Sequence, residues 1–254
     1  MTDPVPLDDR GFTLGDGLFE TLLVEDGRIA FWPEHVARLT AGCGTLGLPA
    51  PDDHTLQAAA KEALAGQSGR LALRLNVTAG SGGRGLDRPA QPALRIVAKA
   101  FPAPAADGAL TLATSTVRRN DGSPASRLKT LAYLDNVLAR AEALSAGADE
   151  AVMLNTRGEV ACAAAGNLFW IAAGRLFTPA LECGVLAGVT RARAIKAAAV
   201  LGLEVVEVRA GAAALASAEA IFVSNSLIGL RTASALDGRR LSAHALVDQL
   251  AERL

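Results

Sequence analysis

The stretch from Ser126 to Trp170 constrains the fold more than any other part of the chain. It follows a turn-rich loop, Asn120-Asp121-Gly122-Ser123-Pro124, and places Leu131, Leu134, Leu138, Ala141 and Leu144 at the spacing of an α-helix that begins directly after Lys129. Gly147 marks the end of that helix. Two short apolar runs joined by Thr156-Arg157-Gly158-Glu159 predict a hairpin, and Asn167 to Ala172 predicts a further strand. The rest of the chain continues this mixture of helices and strands.

Lysine is scarce, with four residues against 21 arginines. Lys61 and Lys196 fall in alanine-rich helical patterns and read as solvated, and Lys99 ends a strand. Lys129 alone stands at a loop-to-element junction among small and apolar neighbours. An amine partly withdrawn from water there becomes a usable nucleophile and base.

The 254 residues allow one large domain or two smaller ones, and half of them are hydrophobic, enough for a full core. The net charge of −1 argues against nucleic acid or an acidic membrane surface as the main partner. No apolar run reaches the length of a membrane span, and the first nine residues, with three acids and two prolines, do not read as a signal peptide. Cys43, Cys162 and Cys183 have no paired metal spacing, and three scattered histidines do not suggest zinc. A reducing, cytoplasmic setting with a small-molecule substrate is the simplest expectation.

Along the chain, Gly15-Asp16-Gly17 reads as a turn, Leu18 to Val24 as a strand, Asp26-Gly27 as a hairpin turn and Ile29 to Trp32 as its return. Pro33 suits the start of a helix that places His35, Arg38 and Leu39 within one turn. A buried Arg38 would need an anion; by pattern alone it is exposed. A helix over Asp53 to Ala65 and a strand over Arg70 to Ala79 lead into Gly80-Ser81-Gly82-Gly83-Arg84-Gly85. Such a loop can offer N–H groups and Arg84 to a carboxylate, although glycine loops are commonly plain connections. Strands are predicted over 93–100, 109–116, 203–208 and 220–223, with a last helix over Leu241 to Leu254. Phe101 to Gly108, rich in proline and small residues, suggests a boundary, giving domains 1–101 and 109–254 with a linker at 102–108. Val189 and Thr190 stand at a predicted helix start, where free N–H groups could receive a phosphate or where Thr190 could be an ordinary cap.

Five motifs taken in order resemble one family: Gly-Asp-Gly-Leu-Phe-Glu (15–20), His-Val-Ala-Arg-Leu (35–39), Leu-Lys-Thr-Leu-Ala-Tyr-Leu (128–134), Asn-Leu-Phe (167–169) and Gly-Val-Thr-Arg (188–191). The chain is similar to the class IV pyridoxal-phosphate enzymes, which hold branched-chain and D-amino-acid aminotransferases and aminodeoxychorismate lyase. The glycine loop at 80–85 and Ser-Asn-Ser-Leu at 224–227 look more like the lyase.

The resemblance implies the two-domain α/β fold of that class, with the C-terminal domain carrying the lysine. It also implies pyridoxal 5'-phosphate as cofactor and a homodimer. By the same resemblance Lys129 would carry the cofactor, and Arg38, Val189, Thr190 and Ser226 would bind its phosphate. Tyr133 would pack near it. Phe19, Arg84 and Asn225 would meet the substrate.

Two positions depart from the pattern. Cys162 stands where relatives place the glutamate that holds the cofactor's ring nitrogen protonated. Glu159, three residues earlier on a strand, faces the other side. Ala79 stands where lyase-like sequences carry arginine. The implied activity is release of 4-aminobenzoate and pyruvate from 4-amino-4-deoxychorismate. An aminotransferase is the first alternative and a non-catalytic regulatory homologue the second.

Overall fold

A computed structural model describes residues 4–103, 105 and 108–254, so the expected linker at 102–108 lies partly outside the described residues. By contacts the chain forms two units, residues 1–105 with 128–132, and residues 106–127 with 133–254.

The first unit contains α1 (Arg10–Leu14), β1 (Gly17–Glu25), β2 (Arg28–Ile29), α2 (Trp32–Leu46), α3 (Asp53–Leu64), β3 (Leu71–Thr78) and β4 (Arg95–Pro102). The strands form an antiparallel sheet in the order β2-β1-β3-β4. Asp26 and Gly27, both at positive φ, close the first hairpin as a two-residue turn requires. Alternate residues of the strands, among them Leu18, Leu22, Leu73, Leu75 and Val77, pack with Leu39, Cys43, Leu56 and Ala60 of the helices. The two-residue period leaves Phe19, Arg74 and Asn76 on the other face.

The helix expected directly after Lys129 does not start there. Residues 129–131 run along the edge of β1 instead: Phe19 N–H donates to the Lys129 carbonyl (2.8 Å) and Leu131 N–H to the Gly17 carbonyl (3.0 Å). A side chain on Gly17 would clash with both neighbours, its Cβ falling 2.3 Å from the Val77 carbonyl oxygen and 2.9 Å from Leu131 Cδ1. Lys129, placed by the sequence on the C-terminal domain, thus belongs by packing to the first unit.

The second unit contains β5 (Leu110–Thr114), α4 (Leu134–Ser145), β6 (Glu150–Leu154), β7 (Val160–Ala163), β8 (Asn167–Ala172), β9 (Arg175–Pro179), α5 (Val189–Val200), β10 (Val205–Val208), α6 (Ala213–Ala216), β11 (Ala220–Asn225), β12 (Gly229–Leu236), β13 (Arg239–Arg240) and α7 (Ala245–Ala251). Its mixed sheet runs β10-β9-β8-β11-β12-β5-β6-β7, with β13 on β12. The sheet curls, and Ala163 N–H donates to Gly166 O (2.9 Å) in the connection from β7 to β8. Phe169 and Phe222 stack with ring centroids 4.9 Å apart inside one core layer. Trp170, Ile221 and Val223 pack in another.

In helix α4 the leucines whose spacing announced it do not face the core. Its buried stripe is Asn136, Ala139 and Ala143, whereas Leu134, Val137, Leu138 and Leu144 are each about half exposed or more. Alanine allows close approach to β6, and Asn136 is satisfied by donating to Ala164 O (2.7 Å) and accepting from Arg119 (2.9 Å). No helix among the described residues is long and apolar enough to cross a membrane.

Candidate active site

The expected site residues fall into two groups, Phe19, Arg38, Arg84 and Lys129 on the first unit and the remainder on the second. On the first, Lys129 is the one lysine of the four that is not exposed. Its Nζ lies 4.3 Å from the centroid of the buried Phe19 ring, and Arg74 Cζ lies 3.5 Å from the same centroid. The sequence reading passed over Arg74. Its signal was alternation: Arg74 and Asn76 interrupt an otherwise apolar strand every second residue.

Arg38 is only partly exposed, and it is paired with an anion. Its Nε donates to Glu20 Oε1 (2.8 Å) and an Nη to Oε2 (2.5 Å), while His35 Nδ1 lies 2.7 Å from Oε2. Glu20 is almost wholly buried. Burial pushes its carboxyl up, but the hydrogen bonds from His35 and Arg38 outweigh this and hold it below the usual range. Arg84 is exposed on the glycine loop, where Gly80, Gly82, Gly83 and Gly85 all take positive φ. Ala79 is fully buried among Leu18, Cys43 and Val77, in a core that is closed to an arginine.

On the second unit, Val189 and Thr190 open α5 as expected, and Gly188 precedes them without a side-chain cap. A Cβ at 188 would lie 2.0 Å from Asn167 Oδ1, so a larger residue there requires the Asn167 side chain to move. Thr190 Oγ1 and Ser224 Oγ are buried and have no hydrogen-bond partner among the described residues. A buried hydroxyl gains from a polar partner, and α5 adds the partial positive charge of a helix start, so these two hydroxyls suit an anion. Ser224 lies opposite Asn167 across the β11/β8 pair, whose Nδ2 donates to the Leu186 carbonyl ahead of α5 (2.8 Å). The sequence had pointed to Ser226, which lies in the turn after β11. Asn225 organises that turn: its Oδ1 accepts from Leu227 N–H (2.9 Å) and Ile228 N–H (3.0 Å), and its Nδ2 donates to Ala165 O (2.9 Å). Tyr133 precedes α4 and is partly buried.

Cys162 is buried on β7 with Ala139, Ala143 and Met153 in its cluster. Burial pushes its thiol above the usual range, against a smaller opposing pull from Arg119. Glu159 is engaged elsewhere, with Asn155, Arg209 and Arg157, and its carboxyl falls to about 2.

Residues 17–236 match the family model for amino-transferase class IV, and the chain belongs to that family. Its members are pyridoxal-phosphate enzymes. The chain is similar in structure to 4-amino-4-deoxychorismate lyase from Pseudomonas aeruginosa, at 31% identity and a TM-score of 0.91 over 100% of this chain and 95% of the other. It is similar to D-alanine aminotransferase from Listeria monocytogenes, at 30% identity over 92% of this chain and 83% of that protein. The PLP-bound form of a hypothetical aminotransferase from Mycobacterium tuberculosis gives 26% identity and a TM-score of 0.86 over 99% and 92% of the two chains.

Proposed function

We propose that the protein is a pyridoxal-phosphate-dependent lyase that converts 4-amino-4-deoxychorismate into 4-aminobenzoate and pyruvate. The residues fit the cofactor: the orphaned hydroxyls of Thr190, at the start of α5, and Ser224, on β11, suit a phosphate, and Lys129 would supply the amine. Arg38, Val189 and Ser226 would complete the phosphate contacts, and Tyr133 would pack nearby. Bound pyridoxal phosphate would supply a covalent handle for the substrate amine and a conjugated ring that accepts electron density, more strongly when its ring nitrogen is protonated.

The observation that carries the lyase reading is Cys162. A buried thiol with a raised pKa is neutral near pH 7, so it cannot hold a proton on a ring nitrogen as a carboxylate does. Aminotransfer depends on that help. Loss of pyruvate from this substrate leaves an aromatic ring, and aromatisation supplies part of the driving force. Lys129 would take the proton from the ring carbon that bears the amine and return a proton to the departing enol of pyruvate. Phe19 would hold the Lys129 amine in place, and Arg74 and Arg84 offer guanidinium groups to the two carboxylates of the substrate.

The test is to supply aminodeoxychorismate to the cofactor-loaded protein and follow 4-aminobenzoate and pyruvate without any keto acid. Turnover that instead requires a keto acid and a D- or branched-chain amino acid would make the protein an aminotransferase. Cys162→Glu is expected to raise aminotransfer relative to lyase activity by about tenfold or more, one pK unit of help corresponding to ~1.4 kcal/mol. An unchanged ratio would remove Cys162 from the argument.

We infer further that the protein is a homodimer and that the outward apolar stripe of α4 is part of the interface, since a two-fold axis can place one patch against its copy. Leu138→Glu is expected to convert dimer to monomer in sedimentation analysis. A wild-type chain that sediments as a monomer at micromolar concentration would end this reading.

A further inference from the structure

Arg10 is a buried arginine in a helix of only five residues. Its Nε donates to Asp16 Oδ2 (2.9 Å). Its other two nitrogens face the main chain of a single loop. Nη1 meets the carbonyl oxygens of Gly82 (3.4 Å), Gly85 (3.2 Å) and Asp87 (3.1 Å), and Nη2 donates to Leu86 O (3.0 Å). Four carbonyls from six consecutive residues thus converge on one guanidinium. The glycines permit this: Gly82, Gly83 and Gly85 take φ of 105°, 83° and 59°, and a Cβ on Gly83 would lie 2.1 Å from the Asp87 carbonyl oxygen. The far end of the loop is tied by Arg88, which forks onto the same Asp16 carboxylate and donates to Leu46 O.

A peptide's N–H points away from its C=O. Drawing in the carbonyls of Gly82, Gly85 and Asp87 therefore turns the N–H groups of Gly83, Leu86 and Arg88 outward. None of those three makes a hydrogen bond among the described residues. Arg84, exposed between them, has no side-chain hydrogen bond or ion pair there either. We propose that Arg10 is a positioning residue that holds the Gly80–Arg88 loop with carbonyls in and amides out, presetting Arg84 and the outward N–H groups to receive a substrate carboxylate. This rests on the role proposed above for Arg84. Lysine cannot replace Arg10, because an ammonium lacks the planar spread of donors that reaches four carbonyls and Asp16 together.

The experiment compares Arg10→Lys and Arg84→Met in the cofactor-loaded protein, reading kcat and KM for aminodeoxychorismate alongside amide NMR shifts on titration with benzoate. In the wild type, benzoate is expected to shift the Gly83, Leu86 and Arg88 amides. Arg10→Lys is expected to abolish those shifts, speed hydrogen exchange over 82–88 and raise KM about tenfold with kcat within twofold. Arg84→Met is expected to raise KM similarly while leaving loop exchange unchanged. Wild-type amides that ignore benzoate overturn the proposal even if Arg10→Lys does not fold. A folded Arg10→Lys protein with normal KM and shifts also overturns it, and leaves the reading of Arg84 standing if Arg84→Met still raises KM. Benzoate shifts that depend on Arg10, together with a normal KM in Arg84→Met, support the proposal for the amides and remove Arg84 alone.

Discussion

Replacing Lys129 with alanine is expected to abolish the visible absorbance of the cofactor-loaded protein and to lower turnover by on the order of 10³-fold or more, because the proposed reaction gives one amine both the covalent attachment and the proton transfers. The loss should be chemical and not a failure to fold. Lys129 is tied into the first unit by its carbonyl, which accepts from Phe19 N–H, and alanine keeps that carbonyl. The melting temperature should therefore move by no more than about 2 °C, which corresponds to less than ~1 kcal/mol. Lys129→Arg makes the sharper control. It retains a cation over the Phe19 ring but offers no amine able to give up a proton near pH 7. Retention of more than a tenth of wild-type turnover in either variant would move the chemistry to another residue.

Glu20→Ala should give the largest loss of stability among the site residues. It strips the buried carboxylate that Arg38 and His35 share inside the first unit. Removing one partner of a buried ion pair costs about 3–5 kcal/mol, or a fall in melting temperature of roughly 10 °C for a chain of this size. The same carboxylate predicts an acid dependence. Its folded pKa is held below the ordinary glutamate range, so its contribution is complete above that range and is lost as pH falls through the folded value. Glu20→Gln should be less stable than wild type at neutral pH and should flatten the stability curve below about pH 4.5. A variant that melts like wild type at pH 7 would show that Arg38 finds another anion, and phosphate added to the apo protein would then be the first candidate to titrate.

Much of the fold was legible in the sequence where local chemistry decides. Asp26-Gly27 dictates its hairpin, Asp52 caps α3 beside the expected start at Asp53, and Val189-Thr190 opens α5 where the motif placed it. The errors came where tertiary contacts override local spacing. Leucines at helical intervals announced α4, but they could not say which face is buried. Alanines and one satisfied asparagine pack inward because they allow the helix close to β6. Leu131 fitted the helical period, yet pairing with Gly17 holds it extended. The last helix is shorter than expected, Ala245–Ala251, and β9 and β12 were not anticipated. At the candidate site, single residues were easier to find than their partners. Glu20 was quoted within a motif, but that it is the anion of Arg38 required the register between a strand and a helix. Ser224, Arg74 and Arg10 carry no motif-level signal, because orphaned hydroxyls, ring contacts and converging carbonyls exist only once the chain is folded.

The edge pairing of residues 129–131 along β1 has a consequence for how the chain is made. The first unit draws five residues from beyond its main stretch, which ends at Ala105. A ribosome that has released only that stretch has delivered a sheet whose β1 edge still lacks the strand that accepts Phe19 N–H. Translation of the next 27 residues takes roughly 1–5 s at about 5–20 residues per second. During that interval the nascent sheet carries an open edge, the kind of template on which strands from other chains assemble. Rare codons placed between Ala105 and Leu128 would lengthen the exposure, and a gene shortened to encode only the first stretch would yield a product that aggregates.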